Sequence, residues 1–242
     1  LALACTSSGT IENITHMGNG RFTARYVAPK VNYPQLAIVT VVDQRDPDKL
    51  YGAVAIPMVG KTNYPVPATP GSTVILRIGG REYGPAKADQ TGRATVPVTV
   101  EPGVGMAKKI MVLNGQTTEE DLDLRVPETK RLQIIPLPTG VPSDGTSQVP
   151  VRVAVFTPDG KPDPTANLNL TATGGTIGKA THTSNGIYVA TFTPKLGNSQ
   201  MTATVQASII GSSVQSDAAE FKLTPVRPQS VQVRAEPTTL PA

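Results

Sequence analysis

Hydrophobic positions alternate with polar ones over short stretches of the chain. Val149, Val151, Val153 and Val155 are interleaved with Pro150, Arg152 and Ala154; Leu168 and Leu170 flank Asn169; Tyr188, Ala190 and Phe192 are separated by Val189 and Thr191. A period of two places one set on a buried face and the other on an exposed one, so each stretch predicts a half-buried β-strand. Residues 201–207 and 218–223 read the same way. Between them lie Pro158-Asp159-Gly160, Gly174-Gly175 and Asn185-Gly186. The last is the strongest short signal for a tight hairpin, because both residues tolerate positive φ. About seven short strands in roughly ninety-five residues, with a turn every eight to twelve, predict a β-sandwich.

The chain repeats itself. Gly9-Thr10-Ile11, Thr15-His16, Asn19-Gly20, Phe22, Ala24 and Tyr26 return 166 residues later as Gly175-Thr176-Ile177, Thr181-His182, Asn185-Gly186, Tyr188, Ala190 and Phe192. Over Gly9–Tyr26, 8 of 18 positions are identical without a gap, where average composition gives roughly one. More weakly, Leu1-Ala2-Leu3 aligns with Leu168-Asn169-Leu170, Ala37 and Val39 with Ala203 and Val205, and Val54-Ala55-Ile56-Pro57 with Glu220-Phe221-Lys222-Leu223. Residues 1–58 therefore read as the later strands of a domain found nearly whole at 130–225. The repeat assigns Phe22, Tyr26, Tyr188 and Phe192 to cores.

Residues 60–128 do not align with the flanking copies but still predict strands at 73–78, 83–88, 94–100, 109–113 and 122–126. Gly79-Gly80, Pro102-Gly103 and Asn114-Gly115 separate them. Residues 118–124 read as a strand in preference to a single helical turn. Ser230 to Ala235 alternate once more and then run into Glu236-Pro237. The expected division is a partial immunoglobulin-like domain at 1–59, a small one at 60–128, a full one at 129–226 and the start of another at 227–242. Short proline-containing linkers favour an extended arrangement.

The series Pro142-Ser143-Asp144-Gly145, Val151 to Val155, Asp159-Gly160, Thr173-Gly174-Gly175-Thr176-Ile177 and Asn185-Gly186-Ile187-Tyr188-Val189-Ala190 resembles bacterial immunoglobulin-like domains of the invasin/intimin type. The first step departs from the family pattern by having Pro-Ser before Asp-Gly. The resemblance covers 130–225 well and 1–58 as a partial copy. It implies an all-β chain of tandem immunoglobulin-like β-sandwiches in an elongated array. It also implies a bacterial cell-surface or extracellular setting and a structural or adhesive spacer role. Its partners are then other protein modules or chains, and a surface receptor or glycan. Two other readings stay open: a carbohydrate-binding accessory module of a secreted enzyme, and a subunit of an extracellular filament with strand exchange between chains.

Composition narrows the alternatives. Charged residues are 17% and the net charge of +4 is spread thinly, with basic doublets only at Lys108-Lys109 and Lys130-Arg131. Nucleic-acid binding calls for a basic face with stacking groups, so no nucleic-acid partner is expected. No run of eighteen apolar residues is present, so no direct membrane insertion is expected for this segment. The single cysteine, Cys5, permits no intrachain disulfide and no cysteine-rich zinc site. It reads as a strand residue rather than a lipidation site.

Candidate chemistry is sparse. His16 and His182 occupy equivalent repeat positions and lie near no nucleophile motif, so the chain is expected not to be an enzyme and to need no cofactor. Asp43, Asp46 and Asp48 are spaced as oxygen ligands for Ca²⁺ could be, although the equivalent loop of the repeat holds Gly211-Ser212-Ser213. Glu119, Glu120, Asp121 and Asp123 form a second acidic run. Tyr33 and Tyr64, each before a proline and expected in loops, are the candidate sugar-binding rings.

Overall fold

The computed structural model describes residues 2–137 and 140–226, and these form 20 strands with no helix. Residues 227–242, where a further domain start is expected, lie outside the described residues.

The first group holds β1 (Ala2–Thr6), β2 (Thr10–His16), β3 (Phe22–Val27), β4 (Gln35–Asp43) and β5 (Tyr51–Met58). Strands β1, β4 and β5 make a three-stranded antiparallel sheet in the order β1-β4-β5, and β2 and β3 make a separate hairpin. A bulge at Asn13, whose φ is 53°, shifts the hairpin register between Glu12 and Thr15.

The second group holds β6 (Gly60–Pro67), β7 (Thr73–Ile78), β8 (Arg81–Lys87), β9 (Arg93–Val100), β10 (Met106–Leu113) and β11 (Gln116–Asp123). Its sheets are β11-β10-β7-β8 and β6-β9. Val66, Val74, Leu76, Ile78, Val96 and Val98 fill the space between them. Gly79-Gly80 and Asn114-Gly115 close two-residue hairpins, with φ of 54° and 81° and of 50° and 79°. Both central residues of such a turn sit at positive φ, which suits the right-handed twist of the flanking strands. Residues 118–124 are strand up to Asp123, not a helical turn. The strand expected at 122–126 instead runs Gln116–Asp123 and ends three residues early, where Arg125 turns the chain at a φ of 52°.

The third group holds β12 (Leu132–Ile134), β13 (Val141–Ser143), β14 (Val149–Val155), β15 (Leu168–Ala172), β16 (Gly175–Ile177), β17 (Thr181–Ser184), β18 (Ile187–Pro194), β19 (Met201–Ile209) and β20 (Ala219–Pro225). One sheet runs β12-β14-β18-β16 with β17 also on β18; the other runs β13-β20-β19-β15. Only the β13–β20 pair among these is parallel. Val149, Val151, Val153 and Val155 from β14 meet Tyr188 and Phe192 from β18 and Ala203, Val205 and Ala207 from β19 in the core. Phe192 and Phe221 pack edge to face with centroids 5.1 Å apart, the favoured aromatic geometry.

Strand pairing corrects the finer alignment of the two copies. In the third group Leu168 faces Ile209 and Ala203 faces Phe221; in the first, Leu3 faces Val42 and Ala37 faces Ile56. Ala4 thus takes the place of Leu170, and Ile56 that of Phe221. Leu3, Cys5 and Ala55 fall on the opposite face from the one the sequence alignment implies, because a one-residue slip inverts a strand. Phe22 is a second correction. Its counterpart Tyr188 is 4% exposed, but Phe22 is 43% exposed, because among the described residues no strand equivalent to β14 covers it.

Candidate functional site

Strand β4 carries apolar side chains on both faces. On one face Leu36, Ile38 and Val42 are buried together with Ile135, Ala154, Phe156 and Ile187 of the third group, with Tyr51, Ala53 and Ala55 of β5 at the margin. The sheet β1-β4-β5 therefore lies on the outer face of the sheet containing β14 and β18. The local sequence explains this contact. Positions on β19 equivalent to Leu36, Ile38, Thr40 and Val42 are Thr202, Thr204, Gln206 and Ser208, a face suited to water. Each fully buried Leu, Ile or Val of this face contributes roughly 1.5–3 kcal/mol.

One charged side chain is set into the edge of the contact. The Arg152 guanidinium lies 4.5 Å from the Tyr51 ring centroid, and its Nη2 donates to Asp48 O at 2.9 Å and Asp48 Oδ1 at 3.2 Å. The Thr40 hydroxyl is buried in the same face and meets no hydrogen-bond partner. Cys5, directly across from Thr40, is half-buried, and burial raises its thiol pKa, so it is a poor nucleophile.

The three groups meet around Pro127. A groove of about 240 Å³ there is lined by Tyr33, Pro34, Gly60, Tyr64, Leu124 and Pro127, among others. The structure thus brings together Tyr33 and Tyr64, which lie far apart in sequence. Tyr64 is in strand β6, not in the expected loop; Pro65 is tolerated because β6 pairs on one side only, with β9. The Tyr64 hydroxyl donates to Asp123 O at 3.3 Å. Gly60 lets the Tyr33–Pro34 backbone approach: a Cβ there would lie 2.6 Å from the Pro34 nitrogen.

The linker is anchored to the third group. Ser212 and Ser213 hydroxyls and the Ser213 N–H donate to the Glu128 carboxylate, which holds it below the usual carboxylate range. Lys130 pairs with Asp217 at 2.6 Å and Arg131 with Asp163 at 2.9 Å. The loop Gly211-Ser212-Ser213, singled out for lacking acids, is the receptor for this carboxylate. Its role was missed because the partner lies 84 residues away.

The acidic candidates face basic side chains. Asp43 accepts from Arg45 Nε at 3.0 Å and Nη2 at 2.6 Å, which hold its carboxyl far below the usual range. Asp46 pairs with Lys49 at 3.6 Å and Asp48 with Arg152. Of the second run, Glu119 lies 3.8 Å from Arg77, Asp121 2.8 Å from Lys108, and Glu120 pairs with Lys109. Among the described residues no three His, Cys, Asp or Glu side chains are grouped to hold a metal ion. Each histidine instead packs on the ring across its hairpin: His16 on Phe22 at 4.8 Å and His182 on Tyr188 at 5.2 Å.

The family model for invasin, domain 3, matches residues 128–224. No curated protein matches the chain significantly. Among solved structures, the Escherichia coli adhesin FdeC is 19% identical over 82% of this chain and 61% of its own, with a TM-score of 0.34. The D0–D1 domain of intimin is 16% identical over 78% of this chain and 90% of its own, at 0.30. Invasin, a bacterial integrin-binding protein, is 16% identical over 93% of this chain and 40% of its own, at 0.34. The chain thus spans less than two thirds of the FdeC and invasin structures it aligns with. With its nine strands in two facing sheets, its valine-rich core and this family match, the unit at 128–224 is an immunoglobulin-like domain of the bacterial invasin/intimin type.

Proposed function

We propose that the chain is a structural and adhesive spacer within a bacterial cell-surface or secreted multidomain protein, where it projects or assembles immunoglobulin-like modules. The invasin-type identity of residues 128–224 carries this reading. The packing of Leu36 and Ile38 with Ala154 and Phe156, and the reach of Arg152 to Asp48, support it, since these contacts join the first group to the third and restrain how the modules move against each other. The units are expected to correspond to 1–59, 60–128 and 129–226. No catalytic step is assigned to any residue, and the partners are proteins of a host or neighbouring surface.

Beads coated with the purified chain, applied to cultured epithelial cells, test the adhesive part. Saturable attachment blocked by free chain is the expected result. A hydrolytic turnover traced to this chain would overturn the non-catalytic reading.

A second reading has one observation in its favour: Tyr33 and Tyr64 share a groove at the joint. Aromatic rings with a polar margin suit a sugar face. A glycan array probed with the chain and with Tyr33→Ala and Tyr64→Ala tests it. A glycan bound by the parent and lost by both variants would favour a carbohydrate-binding module.

A further inference from the structure

The chain leaves the first group after Met58, runs through the middle group and returns at Glu128, yet the first and third groups touch directly. Their contact closes a loop whose other arm is the middle group. It follows the length of β4. At one end the turn at Gly160 meets β4 and β5, where an added Cβ would lie 3.4 Å from both Leu36 and Pro57. Ile38 clusters with Ala154 and Phe156, and at the other end Arg152 reaches Tyr51 and Asp48. The cluster includes no residue of β2 or β3.

Two features set this contact apart from the cores on either side. First, no strand of one group pairs with a strand of the other, and among the described residues no backbone hydrogen bond crosses between them. The bonds from Arg152 to Asp48 supply the polar link. Second, the buried side-chain polar atoms that meet no partner among the described residues are Thr40 Oγ1, Gln133 Oε1 and Thr129 Oγ1, and all three belong to this contact. Thr40 is on the buried face of β4. Gln133, in register with Ala154, shares its outer face, and β12 lies against β4. Thr129 lines a groove of about 320 Å³ together with Ser7, Gln35 and Leu36 of the first group. Each such group is held dry without compensation and regains hydrogen bonds to water when the contact parts, which lowers the cost of parting.

We propose that the contact between the first and third groups is a reversible latch, which opens by parting the two sheets while each keeps its own strand pairing. Opening breaks side-chain contacts alone, bares Ile135, Ala154, Phe156 and Ile187, and leaves the middle group as the one connection. A pull that separates the first group from the third meets the latch before it loads the middle group in full, so the closed chain holds length in reserve. The latch stands on the contact itself; its use as a length reserve rests on the spacer reading.

The test uses the full 242-residue chain and its one cysteine. Cys5 lies opposite Thr40 on the contact face and is half-buried, so its rate of reaction with a maleimide reports parting of the sheets. The rate is measured against urea concentration, with amide exchange of β4 and β18 followed in parallel. The expected result is labelling that becomes fast while the amides of both strands stay protected. Ala154→Glu sets a carboxylate in the contact, outside the third-group core, and speeds labelling in buffer by at least about tenfold, with β18 protection as the check on its fold. Gln133→Leu removes an unpaired group on the third-group side and slows labelling by about threefold. Thr191→Glu, on the same outer face but exposed, leaves the rate unchanged. Labelling that waits for loss of β18 protection would mean one cooperative body. Labelling that coincides with loss of β4 protection would mean unfolding of the first group. Either result, or an unchanged rate in Ala154→Glu, overturns the proposal. Cell attachment of coated beads is read separately, so failure here leaves the adhesive reading standing.

Discussion

Arg152 of β14 stacks its guanidinium 4.5 Å over the Tyr51 ring of β5 and reaches the Asp48 carboxylate beside it. The side chain is only 13% exposed, so cation and ring meet in a largely desolvated place, where such contacts are strongest. Arg152→Ala is expected to lower stability by about 1–2 kcal/mol, from lost stacking as well as lost stem packing. Arg152→Lys is expected to recover less than half of this, because an ammonium lacks the planar face. Denaturant unfolding of the three proteins checks both.

The face beneath this contact predicts an asymmetry between the repeats. Ile38 is fully buried against the third group, so Ile38→Ala should cost about 2–5 kcal/mol. The equivalent Thr204 lies on a polar face, and Thr204→Ala should cost much less, its loss being confined to the hydroxyl contact with Thr173 at 2.7 Å. Ile38→Asp should separate the two sheets, and small-angle scattering should report a larger radius of gyration. An unchanged profile would contradict the packing described.

Thr40 sets up a stabilising change. Its hydroxyl is buried without a partner in an otherwise apolar face. Thr40→Val keeps the shape and removes the unpaired group, so stability should rise by about 1 kcal/mol. A melting temperature below that of the parent would show that the hydroxyl is satisfied.

The turn after β13 predicts a pH dependence. Asp144 accepts from the Ser147 hydroxyl at 2.6 Å and from the Ser147 and Thr146 N–H groups at 2.7 and 2.9 Å, which together hold its pKa at about 2. The folded value lies below the unfolded one of about 3.9. The contribution is therefore present above about pH 4 and is lost as pH falls toward 2. The stability difference between the parent and Asp144→Ala should be constant from about pH 5 to 7 and narrow below about pH 4. Unfolding midpoints across that range decide it.

Some of the site was legible before any contact was known, and some was not. The Asn114-Gly115 and Asn185-Gly186 turns, the alternating valines of β14 and the repeat itself were readable because they express local demands on φ and on side-chain alternation. Strand β6 was missed because Pro65 and Pro67 argue locally against a strand, while a one-sided pairing tolerates them. The apolar outer face of β4 left a trace, since the run from Leu36 to Val39 does not alternate. Such a run marks a strand covered on both faces, but it does not name the cover.

The amino-acid sequence by itself determined an all-β chain with an invasin-type domain at its third unit, because strand period, turn chemistry and the repeated motif are properties of neighbours along the chain. Only the tertiary structure decided that Leu36 and Ile38 face Ala154 and Phe156, that Tyr33 and Tyr64 line one groove, and that Phe22 stays uncovered where Tyr188 is buried. Those relationships depend on which distant strand lies against each face. Shifting a strand by one residue, as between Leu3 and its expected counterpart, is enough to invert them.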